Sequence, residues 1–286
     1  MYFDSHVHSA ASPDSQMNPV EAIAALGSNG MGVAFTEHVD FAENHEGQDP
    51  TATDAIRHIA DFLCDFEKYH EYESLRMNKN NAVTLGLELG LTAAFLQLNE
   101  KTATAYNYDF ILGSVHAVDG VEVYHACRKR INEPVPKIDR YLTYAKEMVE
   151  LCGFFDAFGH IDYIARFCTP QFAADFKYEN FPQEFDALLK AIAERDISLE
   201  INTSRFGRQY AWDSNATTVA QAQRPEEVML KICKRFAQLG GRFCTLGSDA
   251  HQIKDLGRQF ATAKEIAAAA NLTPVYYRER KPIPCE

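Results

Sequence analysis

The residues with chemical potential in this sequence are imidazoles and carboxylates at the ends of short apolar runs. Run 2–8 closes on His6 and His8, and run 32–38 on His38. Run 82–90 carries Glu88, 109–116 closes on His116, 155–162 contains His160, and 243–251 closes on Asp249 and His251. Six of the ten histidines therefore recur at the same place in successive units. Neutral imidazole and carboxylate are ligands of zinc, manganese and iron. Side chains alternate faces along a strand, so residues two apart point the same way. His6 can converge with His8, Asp249 with His251, and Asp4 can share the face of His6. Glu88 stands inside TLGLELG, where a carboxylate is costly to bury unless paired or coordinating. His6, His8, Glu88, His116, His160, Asp249 and His251, with His38 and Asp14, are too many ligands for one ion. They suit two or three, sharing a carboxylate and a water.

The remaining run, 198–204, ends in Asn202 and Ser204 and is followed by Arg205; Arg166 lies six residues after His160. Arginine's forked donors match phosphate oxygens, so both are candidate phosphate contacts, with Arg208 a third. His45 and His125, in loops, are candidate pocket residues. Asp40 and Asp119 are read as solvated loop acids or as contacts for a substrate cation. His58 and His70 are read as surface groups. Tyr210 and Trp212 fall in segment 205–224, which could cover a pocket.

Something must hold these tips together. The seven runs have the length and content of buried strands. Between them lie helix signals: Asn18 and Pro19 before VEAIAAL, segments 182–195, 225–239 and 256–270, and the stretches 51–75 and 137–151. Strands alternating with helices imply an α/β fold with parallel pairing and right-handed crossovers. Seven strands favour a barrel over an open sheet, although counting alone does not decide it. In such barrels the chemistry sits at the carboxyl ends of the strands. No linker or composition break divides residues 1–286, so a single domain is expected.

Composition narrows the function further. A net charge of −12 disfavours a nucleic-acid-binding surface. No apolar run approaches the roughly 20 residues of a membrane span, and MYFDSHVHSA lacks the features of a signal peptide. The expectation is a cytoplasmic protein with no membrane or nucleic-acid partner and a small-molecule substrate; its oligomeric state is not readable. The seven cysteines are scattered without a CxxC pair and are expected to be free thiols.

The ordered set DSHVHS, TEH, GLELG, GSVH, GHIDYI, EINTSR and GSDAH resembles the successive motifs of the PHP (polymerase and histidinol phosphatase) superfamily, from Asp4 to His251. Within it, the stand-alone length and the two arginines look most like the histidinol-phosphatases. The resemblance implies a distorted seven-stranded (βα)7 TIM-like barrel with a trinuclear metal centre. His6, His8, Glu88 and Asp249 would hold one ion, Glu88, His116 and His160 a second, and Asp14, His38 and His251 the third. Relatives place either His or Asp at the position of Asp14, and TEH stands where TDH is common. The implied reaction is hydrolysis of L-histidinol phosphate to L-histidinol and phosphate, in histidine biosynthesis. Two or three ions (Zn, Mn or Fe) would generate the attacking hydroxide, and Arg166 and Arg205 would stabilise the equatorial oxygens. The leaving oxygen would be protonated by a water on the metal, by Asp249 or by His251. Rival readings are a nucleotide or other small phosphate ester as substrate, an amidohydrolase, and a non-catalytic module. Amidohydrolases often bridge their metals with a strand-end lysine, and no lysine occupies these tips.

Overall fold

Every one of the seven apolar runs contains a strand. The computed structural model describes residues 1–42, 56, 59–78, 82–208 and 224–286. Its strands are β1 (Phe3–Val7), β2 (Gly32–Asp40), β3 (Phe62–Leu63), β4 (Val83–Gly90), β5 (Phe110–Ser114), β6 (Ala117–Val118), β7 (Val121–Glu122), β8 (Ala157–Phe158), β9 (Ser198–Asn202), β10 (Phe243–Gly247), β11 (Thr273–Arg278) and β12 (Lys281–Pro284). The seven runs supply β1, β2, β4, β5, β8, β9 and β10. These are hydrogen-bonded in that order, each pair parallel. Every residue of β2 and β4 is buried, as in a parallel sheet covered on both faces. β1 also meets the chain beyond β10. His8 N donates to Ala250 O (3.0 Å), Asp249 N donates to His6 O (2.8 Å), and Val7 bridges Ala250 in parallel.

The crossovers are helical: α1 (Pro19–Gly27), α2 (Phe66–His70), α3 (Glu73–Met77), α4 (Leu96–Thr104), α5 (Val123–Cys127), α6 (Ile138–Leu151), α7 (Pro170–Asp175), α8 (Pro182–Glu194), α9 (Pro225–Gln238) and α10 (Phe260–Ala269). Asn18 caps α1, its side chain accepting from Val20 N (2.9 Å), and Pro19 opens the first turn without wasting a donor. In α6 the stripe Tyr141, Leu142, Ala145, Met148 and Val149 turns inward at helical spacing. The expected helix over 256–270 begins only at Phe260, after a 3-10 turn at Ile253–Asp255. Within 51–75 the described helical part is α2 and α3, broken at Glu71–Tyr72. No helix among the described residues is long and apolar enough to cross a membrane. His45, His58, Tyr210 and Trp212 lie outside the described residues.

Two features depart from the expectation. Cys127 and Cys168 are paired as a disulfide, with Cα atoms 4.8 Å apart. The expectation of seven free thiols is corrected for these two. A separation of 41 residues carries no pairing signal; α5 and the loop before α7 are brought together only by the tertiary fold. Cys64, Cys152, Cys233 and Cys244 are free and buried. The C-terminal hairpin β11–β12 was also not expected. β11 pairs parallel with β10, and Val275 and Tyr277 pack with Ala34, Phe110, Leu112 and Ala157.

Asp156 fastens this hairpin, accepting from Arg280 Nε (2.6 Å) and Ile111 N (2.8 Å). Burial pushes its carboxyl up to about 6, against the opposing pull of Arg280. The folded state thus holds a proton that the unfolded chain releases near pH 4. This contribution is complete below pH 4 and is lost as pH rises through about 6, a change of roughly 2–3 kcal/mol. Asp156→Asn should flatten that slope. Urea unfolding of both proteins between pH 4 and 7 would test it, and parallel pH profiles would refute it.

Candidate metal centre

The carboxyl ends of the parallel strands bring all nine expected ligands together, and Glu88 is their hub. Glu88 is fully buried. Its Oε2 lies 3.2 Å from His6 Nε2, 3.4 Å from His8 Nε2 and 2.9 Å from His38 Nδ1. Its Oε1 lies 3.2 Å from His116 Nε2 and 2.7 Å from His160 Nε2, and accepts from Ser114 Oγ (2.8 Å). Asp249 Oδ1 is 3.7 Å from His6 Nε2 and 3.5 Å from His8 Nε2. Asp14 Oδ2 is 2.9 Å from His251 Nε2 and 3.6 Å from His38 Nε2. The Asp14 side chain is 40 % exposed, which puts the Asp14–His251 pair at the mouth and Glu88 at the floor.

Asp4 does not join them. The register of β1 on β2 shifts between Asp4 and Val7. Such a bulge breaks the two-residue alternation and re-aims the side chains beyond it. Asp4 instead accepts from Ser248 N (2.9 Å), Ser248 Oγ (2.6 Å) and Gly257 N (2.8 Å), fixing the segment that carries Asp249 and His251. His6 and His8 still converge, with ring centroids 5.0 Å apart.

The donor set suits a cation. Nε2 of His6, His8 and His251, Nδ1 of His38 and Oε2 of Glu88 are buried and have no hydrogen bond of proper geometry among the described residues. Buried polar atoms left unmatched are rare and need an explanation; cations lying between these atoms would satisfy them. Among the described residues three trios have mutually close ligand atoms: His6, His8 and Asp249; His6, Glu88 and His160; and His8, His38 and His251. His8 thus groups with His38 and His251 as well as with His6. Burial pushes the Glu88 carboxyl up, and the imidazoles of His6, His38 and His116 more than reverse this, leaving it well below the usual carboxylate range. Burial and the neighbouring His38 and His251 drive His8 well below the usual imidazole range, so it is neutral, the form a metal takes.

The same cavity, about 760 Å³, is lined by Arg166, Arg205 and Arg208. Arg166 is buried; its Nη1 donates to Asp249 Oδ2 (2.9 Å), while Nη2 and Nε donate to Asp162 Oδ1 (2.9 and 3.2 Å). Arg205 is half-buried at the wall. Arg208 reaches Asp255 at 3.3 Å. His125 also lines the cavity, its Nδ1 2.6 Å from Glu122 Oε2.

Asp40 and His70 differ from their reading, while Asp119 keeps to its reading as an exposed loop acid. Asp40 is no solvated loop acid: it ends β2, nearly buried, with Oδ1 2.7 Å from His116 Nδ1. Asp119 pairs with Arg140 (2.6 Å) and is not among the described residues lining the cavity. His70 is half-buried, stacked on Tyr106 at 4.2 Å.

Sequence reasoning missed Glu200 and Glu37. Glu200 Oε1 lies 2.7 Å from His6 Nδ1. Glu37 accepts from Ser12 Oγ (2.6 Å), which in turn lies 3.3 Å from His8 Nδ1. For Glu200 the signal was present: an acid inside the apolar run SLEIN, as unusual there as Glu88 is in its own strand.

Comparison with known proteins gives the family. The model of the PHP domain matches residues 4–204. A probable histidinol-phosphatase of Clostridium acetobutylicum is 32% identical over 284 residues, covering 98% of each chain. A histidinol-phosphatase of Lactococcus lactis is 27% identical, covering 88% of this chain and 84% of its own. The crystal structure of histidinol phosphate phosphatase from Lactococcus lactis, complexed with zinc, L-histidinol and phosphate, superposes with a TM-score of 0.78 at 23% identity, over 99% of this chain and 98% of that one. With the family model spanning most of the chain and a relative matching nearly all of it, the chain belongs to the PHP family.

Proposed function

We propose that this protein is a metal-dependent phosphomonoesterase that hydrolyses L-histidinol phosphate to L-histidinol and phosphate. The observation that carries the reading is one cavity lined by Glu88, by the imidazoles of His38, His116, His160 and His251 and by the guanidinium groups of Arg166 and Arg205, with His6 and His8 packed against Glu88 behind it. The names of its relatives supply the substrate. No lysine lies among the described residues lining the cavity, which favours phosphoester over amide hydrolysis within this proposal.

In this reading His6, His8, Asp14, His38, Glu88, His116, His160, Asp249 and His251 hold two or three divalent ions, zinc, manganese or iron. Bound there, such ions polarise phosphate oxygens and supply hydroxide near neutral pH. The chain's own residues do the rest. Glu88 keeps two groups of imidazoles at fixed separation through its two oxygens. Arg166, clamped by Asp162 and Asp249, offers a preorganised guanidinium to the charge on the equatorial phosphate oxygens, and Arg205 meets them from the loop after the neighbouring strand β9. The proton for the leaving oxygen would come from a water in the site, from Asp249 or from His251. The closed strand order, with β1 against the end of β10, supports a distorted seven-stranded barrel forming one domain over 1–286. A cytoplasmic setting belongs to the same proposal.

The test is phosphate release from L-histidinol phosphate by zinc- or manganese-loaded protein, against a panel of nucleoside monophosphates and sugar phosphates. Chelation should abolish turnover, and readdition of metal should restore it. Strong hydrolysis of another ester with none of this one would overturn the substrate assignment.

A further inference from the structure

Two of the imidazoles are held from behind. His6 Nδ1 lies 2.7 Å from Glu200 Oε1, and His116 Nδ1 lies 2.7 Å from Asp40 Oδ1. In each pair the ring turns Nδ1 to the carboxylate, which leaves Nε2 as the ring atom aimed at Glu88. Those two Nε2 atoms each lie 3.2 Å from Glu88, one on each oxygen. The two pairs thus stand on opposite sides of the bridging carboxylate.

Both carboxylates are buried, a costly arrangement unless a partner needs the charge. Each has room because a glycine faces it. A Cβ at Gly247, in β10, would come within 2.1 Å of Glu200 Oε1 and 2.6 Å of His6 Cβ. A Cβ at Gly90, ending β4, would come within 1.9 Å of Asp40 Oδ1. Glu200 does more than hold one ring. Its Oε2 accepts from His160 N (2.6 Å) and Asn202 Nδ2 (3.2 Å), tying the backbone of a second candidate ligand to the same carboxylate.

We propose that Glu200 and Asp40 are positioning residues that fix the tautomers of His6 and His116 and aim both rings at the ions flanking Glu88, with Gly247 and Gly90 present to admit them. The inference rests on the metal-centre reading. Outer carboxylates of this kind orient the ring and raise its basicity as a ligand.

The experiment measures zinc affinity by competition with a chromogenic chelator, alongside metal content per chain and thermal melting. Glu200→Gln and Asp40→Asn should stay folded and bind zinc about 10–100-fold more weakly, and excess zinc should restore much of their phosphate release. Gly90→Ala, which displaces Asp40, should weaken zinc in the same direction. Asp156→Asn, remote from the centre, should bind zinc as the wild type does, separating a positioning role from general loss of stability. Zinc affinities within twofold of wild type in both carboxylate variants would overturn the inference. Should Glu200→Gln fail to fold, Asp40→Asn on the opposite side carries the same test. A wild-type protein that binds no zinc would instead overturn the metal reading underneath.

Discussion

Glu88→Gln should lower phosphate release by about 10³-fold or more and remove at least one bound ion per chain. The substitution keeps the volume, so the buried site is not hollowed out. It removes the negative charge that sits between two groups of rings, with His6, His8 and His38 facing one oxygen and His116 and His160 the other. A glutamine also turns an NH2 toward nitrogens that should present lone pairs to a cation. Electrostatic stabilisation by a metal centre is worth several kcal/mol in the transition state, and each 1.36 kcal/mol is tenfold in rate. Loss of one ion alone therefore reaches the expected size. Elemental analysis and kcat/KM on the same preparation check both halves. Full metal content together with activity within tenfold of wild type would show that Glu88 is merely a buried acid paired with histidines.

The residues behind that expectation were legible because metal chemistry imposes costly choices on a sequence. An acid in TLGLELG and histidines closing successive apolar runs defy the burial preferences of their neighbours, and the strands then proved to be where the runs are. The tips could be read without a fold because each lies at the end of its own run. Relations between runs were another matter. Strict alternation allows Asp4 to share the face of His6, and the register shift in β1 turns it to Ser248 and Gly257 instead. Glu200 carries the same signal as Glu88 but meets the ring of a candidate ligand, His6, 194 residues away in sequence. Nothing local distinguishes an acid that meets an ion from one that meets an imidazole. The Cys127–Cys168 link and the β11–β12 hairpin failed to show for a similar reason: both are set by which surfaces meet after the strands have paired. α4 was missed because its sequence, LQLNEKTAT, is mostly polar and buries only Asn99 and Ala103.

Arg166→Ala should lower kcat/KM for the phosphomonoester by about 10²–10³-fold, the usual cost of losing one preorganised donor to a developing oxyanion. The guanidinium is already oriented: Asp162 takes Nε and Nη2, and Asp249 takes Nη1. Substrate therefore meets a group whose ordering was complete on folding. The same clamps create an alternative explanation, because removing the arginine leaves two acids without their partner and can loosen Asp249. Arg166→Lys separates the two effects. A lysine keeps the positive charge near Asp162 and Asp249 but has no planar fork with which to serve both acids and a phosphate at once. If Arg166 acts on the anion, Arg166→Lys should retain its metal and its melting temperature, yet lose at least tenfold in kcat/KM and in affinity for inorganic phosphate as a competitive inhibitor. A lysine variant with wild-type phosphate inhibition and wild-type turnover would assign Arg166 to holding Asp249 and nothing more.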